Sequence, residues 1–206
     1  MSIMEYNGGT IVAMVGKNCV GIAADRRFGV NQLQTISSNF EKVFQITPSC
    51  LVGFQGLVTD VQTLSQQLKA KVKLYKLREE REMPTQVVSH LIASSLYEKR
   101  FGPWFCEPIV AGLDKDNLTP FISGFDLIGT ESTAPDFVAS GTGAEAAYGV
   151  CESFWRPDLE PPELFETLSQ CLMAGIDRDC LSGWGGIVHI LTPQGVTTKL
   201  LKTRMD

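Results

Sequence analysis

Histidine is nearly absent from this chain: among 206 residues there are two, His90 and His189. The six cysteines (Cys19, Cys50, Cys106, Cys151, Cys171, Cys180) are scattered, with no C-x-x-C pair. That spacing argues against a disulfide framework and against a clustered metal site, so no metal ligand set is expected. There is no G-x-S-x-G run to build a serine nucleophile elbow. No segment approaches the roughly eighteen apolar residues that a membrane-spanning helix requires. The first eight residues are too short and too polar for a signal peptide, which gives the expectation of an intracellular protein. Positive charge is also in deficit. The formal net charge is −5, the opposite of a nucleic-acid footprint, and the densest basic stretch, residues 69–81, is broken by Glu79 and Glu80 and followed by Glu82.

What remains is an ordinary globular composition, 44% hydrophobic and 20% charged. The length suits one domain over residues 1–206 with a sizeable buried core. Short β-rich runs come first, at 10–15, 19–24, 33–36, 43–46 and 51–54, each bounded by turn formers. The apolar spacing then turns helical. Val61, Leu64, Leu68, Val72 and Tyr75 recur at threes and fours, a single buried stripe on a long helix. Pro84 opens a second helix running to about residue 100, with Val88, Leu91, Ile92 and Ser95 on one face.

The second half repeats this order. Strands are expected at 109–113, 120–125 and 137–140, with a turn at 114–117 in the first connection. A helix over 143–154 follows, then a proline-rich turn (Pro157, Pro161, Pro162), a helix over about 163–177, and closing strands at 186–191 and 196–200. This is an α+β order. Helix pairs inserted between hairpins would cover two antiparallel sheets stacked on each other, a four-layer α-β-β-α sandwich. Residues 199–206 form a candidate inter-subunit tail.

Residues 141–146 read G-x-G-x-x-A between a strand and a helix, superficially a dinucleotide fingerprint. The ribose-binding acid should follow about twenty residues on at the end of a strand. Asp158 and Glu160 lie instead in the proline-rich turn, so a tight strand-to-helix turn is the reading and no cofactor is expected. The two histidines are read as ordinary structural residues, and Trp104, Trp155 and Trp184 as packing or interface anchors.

Several stretches resemble the beta subunits of the proteasome core particle, within the N-terminal nucleophile hydrolase superfamily. They are Tyr6-Asn7-Gly8-Gly9-Thr10, the run Gly21 to Arg27, Glu41-Lys42-Val43-Phe44, Ser140-Gly141-Thr142-Gly143 and the run Asp177 to Gly185. A finer resemblance, to one branch of the eukaryotic beta subunits, rests on residues 96–103, 124–129, 157–161 and 201–206. The likeness spans nearly the whole chain, and the fold it implies is the same four-layer sandwich.

Active members of that family expose an N-terminal threonine whose hydroxyl attacks the peptide carbonyl while its own α-amine serves as base. The resemblance matches Asp25 to the acid sixteen residues after that threonine, and counting back sixteen lands on Gly9, which has no hydroxyl. The rival is Thr10, since Gly9-Thr10 looks locally like a processing junction. A slip of one residue on a strand turns the side chain to the opposite face, into the sandwich and away from Lys42, although a bulge would restore the register.

By resemblance Lys42 matches the lysine that tunes the nucleophile. Asp179 and Ser182 match the pair beside the free amine, and Thr142 stands where active members carry a serine. Without a nucleophile these read as a vestigial site with a structural role, and the catalytic set is empty. Asp126, with Thr130 four residues on, matches a position that reaches the substrate pocket of an adjacent active subunit. The resemblance further implies a place among seven beta subunits in a ring. The implied partners are the adjacent beta type 2 and beta type 4 subunits, the alpha ring and the opposite beta ring, in the cytoplasm and nucleus, with neither nucleic acid nor membrane as a partner.

Overall fold

The computed structural model describes residues 2–114 and 118–205. Residues 115–117 of the expected turn, and Asp206 at the end of the tail, lie outside the described residues.

Two five-stranded antiparallel sheets form the interior. The first begins with β1 (Thr10–Gly16) and β2 (Cys19–Asp25), paired from Ile11↔Ala24 to Gly16↔Cys19. The hairpin turns through Lys17 and Asn18, the latter at φ +51, a left-handed conformation that asparagine tolerates well. Next in chain order come β3 (Phe28–Val30) and β4 (Gln34–Ser37), which among the described residues pair only with each other. The second sheet holds β5 (Val43–Thr47), β6 (Cys50–Gly56), β7 (Cys106–Leu113), β8 (Pro120–Phe125) and β9 (Glu131–Ala134), side by side in that order. Completing the first sheet are β10 (Phe137–Gly141), β11 (Gly186–Thr192) and β12 (Gly195–Leu201), in the order β10-β1-β2-β11-β12.

Four helices cover the outer faces: α1 (Val58–Glu79), α2 (Thr85–Tyr97), α3 (Ala144–Phe154) and α4 (Pro161–Ile176). The layering follows from alternation along the strands. On β1, Val12 and Met14 pack outward with Leu164, Leu168 and Leu172 of α4. Ile11 and Ala13 face inward, against Ile109 and Ile122 of the second sheet. On the far side Val61, Leu64, Leu68 and Val72 of α1 and Val88 and Ile92 of α2 cover Val52, Phe54 and Val110. Because both faces of β1, β2 and β6 are covered, their burial is almost continuous. The expected α-β-β-α sandwich is the observed one.

Several boundaries differ from the sequence reading. The helix placed at 163–177 begins at Pro161, where a missing N–H costs nothing because the first turn has no acceptor for it. Glu160 and Glu163 close a capping box around that start. The second helix stops at Tyr97 rather than near residue 100. Strand β3 has only three residues, and β9, Glu131–Ala134, is polar at all but its last position, so neither announces itself in sequence. Of residues 199–206, the first three belong to β12, and the tail proper folds back: Thr203 accepts from Gly185 N at 2.8 Å, and Arg204 donates to the Asp177 carbonyl at 2.8 Å.

Among the cysteines, all are free and Cys180 is exposed while the other five are buried. Burial pushes the Cys50 and Cys106 thiols up to about 12, which keeps them protonated and inert at neutral pH. The histidines have partners that spacing did not reveal. His189 shares a 2.8 Å hydrogen bond with Thr198 Oγ1, and His90 sits 3.8 Å from Glu131 Oε2. Trp155 stacks edge-on to Phe137 and donates to the Val15 carbonyl at 3.1 Å.

Candidate functional site

The site lies where the two sheets part at the start of β1. Its centre is an ion pair between Lys42 Nζ and Asp25 Oδ1, 2.5 Å apart. Asp25 is the last residue of β2 and Lys42 precedes β5, so each sheet contributes one partner. The side chains are 3% and 0% exposed. Asp25 takes three further bonds: its Oδ1 accepts from Thr10 N at 2.9 Å, and its Oδ2 from Arg27 N and Gly183 N, both at 3.2 Å. Four donors on one carboxylate satisfy nearly all its lone pairs, as a buried charge requires.

Gly9 sits directly over this pair. A Cβ built on it would come within 3.0 Å of the Lys42 ammonium, the Gln55 amide nitrogen and Asp25 Oδ1. Position 9 therefore faces the lysine, and the residue there carries only hydrogen. Thr10 does not face it. The Thr10 side chain lies on the other face of β1, its hydroxyl next to Gly143 and its methyl next to Gly175, and the residue is 0% exposed. Strand alternation from Val12 and Met14 places it on that same helix-covered side, so β1 holds its register at Thr10. The turn away from Lys42 is as expected. The direction is corrected: Thr10 points toward the layer of α3 and α4, not into the space between the sheets.

A second set of groups surrounds the Gly9 backbone. Gly9 N donates to Thr142 Oγ1 at 3.2 Å. Thr142 Oγ1 bonds Asp179 Oδ2 at 2.5 Å, and Ser182 Oγ donates to the same oxygen. The Thr10 and Ser182 hydroxyls are 2.8 Å apart. Since the Ser182 proton is committed to Asp179, the Thr10 hydroxyl is the donor in that contact. The chain of bonds thus runs from both Gly9 and Thr10 to one carboxylate. Sequence spacing alone does not show this convergence, for Asp179 and Ser182 arrive from the loop after α4. All of Asp25, Lys42, Thr142, Asp179 and Ser182 are gathered around Gly9.

Asp126 and Thr130 are not part of this cluster. They close a loop between β8 and β9, where Asp126 Oδ1 accepts from Thr130 N at 2.7 Å and Ile128 N at 3.0 Å. Partial desolvation pushes the Asp126 carboxyl up. The hydrogen bonds from Thr130, Ile128 and Gly129 outweigh it and hold the group below its usual range. The side chain is therefore ionised at neutral pH. Asp126 and Thr130 line a groove of about 400 Å³, which shares Glu107 and Tyr148 with the cleft of about 540 Å³ over Gly8.

Three participants escaped the sequence reading. Gln55 of β6 reaches the space beside Gly9, and Glu107 opposes it on β7. Asn7, 4% exposed, donates to the Gly29 carbonyl and accepts from Val58 N, both at 2.9 Å. It thereby caps α1, whose own preceding residue, Leu57, has no side-chain oxygen to do so. Only the quoted run Tyr6 to Thr10 hinted at Asn7; nothing in sequence pointed to Gln55 or Glu107.

Among the described residues no group of three His, Cys, Asp or Glu side chains is placed to hold a metal ion. No described helix is long and apolar enough to cross a membrane. The arrangement gathers a lysine, two carboxylates and the hydroxyls of Thr142 and Ser182 around Gly9, which carries no side chain.

A family model described as "Proteasome subunit" matches residues 5–191. Curated relatives match along their whole length and that of this chain. A protein named proteasome subunit beta type-3 from Dictyostelium discoideum is 57% identical over 206 residues. Proteins of the same name from Oryza sativa subsp. japonica and Drosophila melanogaster are 56% and 52% identical.

Proposed function

This chain belongs to the proteasome subunit family, and from that premise we propose that it is a non-catalytic beta subunit of the core particle. It forms part of the beta-ring wall of the proteolytic chamber and supports ubiquitin-dependent degradation by active neighbours, in the cytoplasm and nucleus. The observation that carries this reading is Gly9 above the Lys42–Asp25 pair. The chemistry requires a hydroxyl and a free amine on one residue. Gly9 has no hydroxyl, and its nitrogen is a peptide amide bound to Thr142.

The test is native mass measurement of the intact assembly together with a mechanism-based electrophile directed at N-terminal threonines. The expected result is a very large complex in which this chain keeps its residues before Gly9 and stays unlabelled. A chain that begins at Thr10 and carries the probe would defeat the proposal.

In the ring this subunit sits between beta type 2 and beta type 4 subunits, and touches the alpha ring and the opposite beta ring. The names of its relatives and the finer motif resemblance support that placement. Residues 199–206 contribute an inter-subunit arm beyond the end of β12. Asp25, Lys42, Asp179 and Ser182 act structurally, as the satisfied polar floor of a closed site.

Asp126 adds an acid at the edge of a neighbour's substrate pocket, where an ionised carboxylate favours basic side chains by charge pairing. Asp126→Ala is expected to slow cleavage after basic residues by about fivefold, equivalent to an exposed charge contact of roughly 1 kcal/mol. Fluorogenic peptides with basic and with apolar cleavage sites, hydrolysed by assembled particles, separate this effect from a general loss. Equal rates after basic residues in variant and parent would remove Asp126 from the specificity argument.

A further inference from the structure

Gln55 ends the inward-facing row of β6. Leu51 and Gly53 precede it on the same face, packed against the inter-sheet core. Gln55 is 3% exposed, and its amide nitrogen finds no acceptor among the described residues. A buried amide donor left unmatched is unfavourable and calls for an explanation. Two glycines supply one. Gly9 lies on one side of the Gln55 side chain, and on the other a Cβ at Gly141 would fall 2.7 Å from both its Cγ and its Nε2. The side chain is threaded through a slot that exists because both residues lack a Cβ.

We infer that Gln55 is a second block on chemistry at this site, filling the room that any side chain at position 9 needs. Three groups crowd that room. Lys42 and Asp25 are held to each other by a buried ion pair, so the flexible lysine tip gives way at position 9 only by shifting, with that pair kept, toward the space Gln55 fills. The Gln55 amide nitrogen has no hydrogen bond to lose among the described residues, so Gln55 is the neighbour whose shortening opens space. Glycine at position 9 is thus required by its surroundings, and a hydroxyl cannot be restored there by one substitution. Calling position 9 the nucleophile's place rests on the proposed function; the steric coupling of residues 9 and 55 does not.

The experiment is a double-mutant cycle read in assembled particles. Chains carrying Gly9→Ala, Gln55→Ala or both are co-expressed with their partner subunits, and incorporation is quantified by mass spectrometry against labelled peptides. Gly9→Ala should lower incorporation by about tenfold when Gln55 is present, the scale of an overpacked core, and by no more than about threefold beside Gln55→Ala. The left-handed backbone at Gly9, φ +127, burdens both backgrounds alike and cancels in the comparison. Gln55→Met keeps the bulk without the amide and should retain the tenfold loss. Equal losses in the Gln55 and Gln55→Ala backgrounds would overturn the inference. So would a failure of Gln55→Ala alone to incorporate, which would make the amide a structural member rather than an obstruction. Threonine-directed labelling of the parent chain would sink the proposed function while leaving the coupling intact, so the two failures are distinguishable.

Discussion

Lys42→Ala is expected to cost about 3–5 kcal/mol of stability and to remove most of this chain from assembled particles. The magnitude follows from what stays behind. Asp25 is wholly buried, and three backbone N–H groups, of Thr10, Arg27 and Gly183, are built around its carboxylate. Deleting the ammonium leaves that charge in the interior with amides alone to compensate it. The amides in turn hold β1, the end of β2 and the loop before β11 in register. Incorporation measured by mass spectrometry, with the thermal midpoint of whatever assembles, reads the loss directly. A Lys42→Ala chain that assembled at parental yield, in particles lacking a peptidase activity peculiar to this subunit, would show that the pair serves chemistry and not structure.

Asn7→Ala should cost about 2–4 kcal/mol, because two buried backbone groups lose their partners together. Val58 N, the first amide of a 22-residue helix, loses its cap, and the Gly29 carbonyl loses its donor. Asn7 ties together three pieces: the β3–β4 hairpin, the start of α1 and the segment leading to Gly9, whose Tyr6 carbonyl also accepts from Asn31 N at 2.8 Å. Asparagine is needed in both senses, as donor and as acceptor. Asn7→Asp keeps the cap while losing the bond to Gly29, and should fall between the parent and Asn7→Ala. Limited proteolysis of assembled particles at the exposed β4 edge, together with thermal midpoints, checks this order. Equal stability of parent and Asn7→Ala would show that the segment before Gly9 is only tethered and not part of the fold.

Much of the sandwich could be read from the chain because its outer helices bury single stripes. Val61, Leu64, Leu68 and Val72 declare α1 through spacing, and all four are buried on the second sheet. Most strands were legible from their apolar runs and flanking turn formers, whereas β3, with three residues, and β9, polar at all but its last position, were not. The start of α4 was missed because proline reads as a turn signal, although at a helix's first position it is neutral. At the site, the family resemblance supplied the sixteen-residue spacing that lines Gly9 up with Asp25, and alternation along β1 holds that register. Counting could not find Gln55. Its neighbours in sequence are apolar strand residues, and its meaning comes from two glycines 46 and 86 positions away.

The one-dimensional order of residues therefore decided the layers and the identity of the residue at position 9, since both depend on periods and counts that a linear chain carries intact. The three-dimensional arrangement decided what that glycine faces. It set Lys42 and Asp25 against each other across two sheets, led Thr142 and Ser182 to one carboxylate, and drove Gln55 into the gap. Such contacts join residues far apart in the chain, where the energy lies in mutual burial and no local pattern records it.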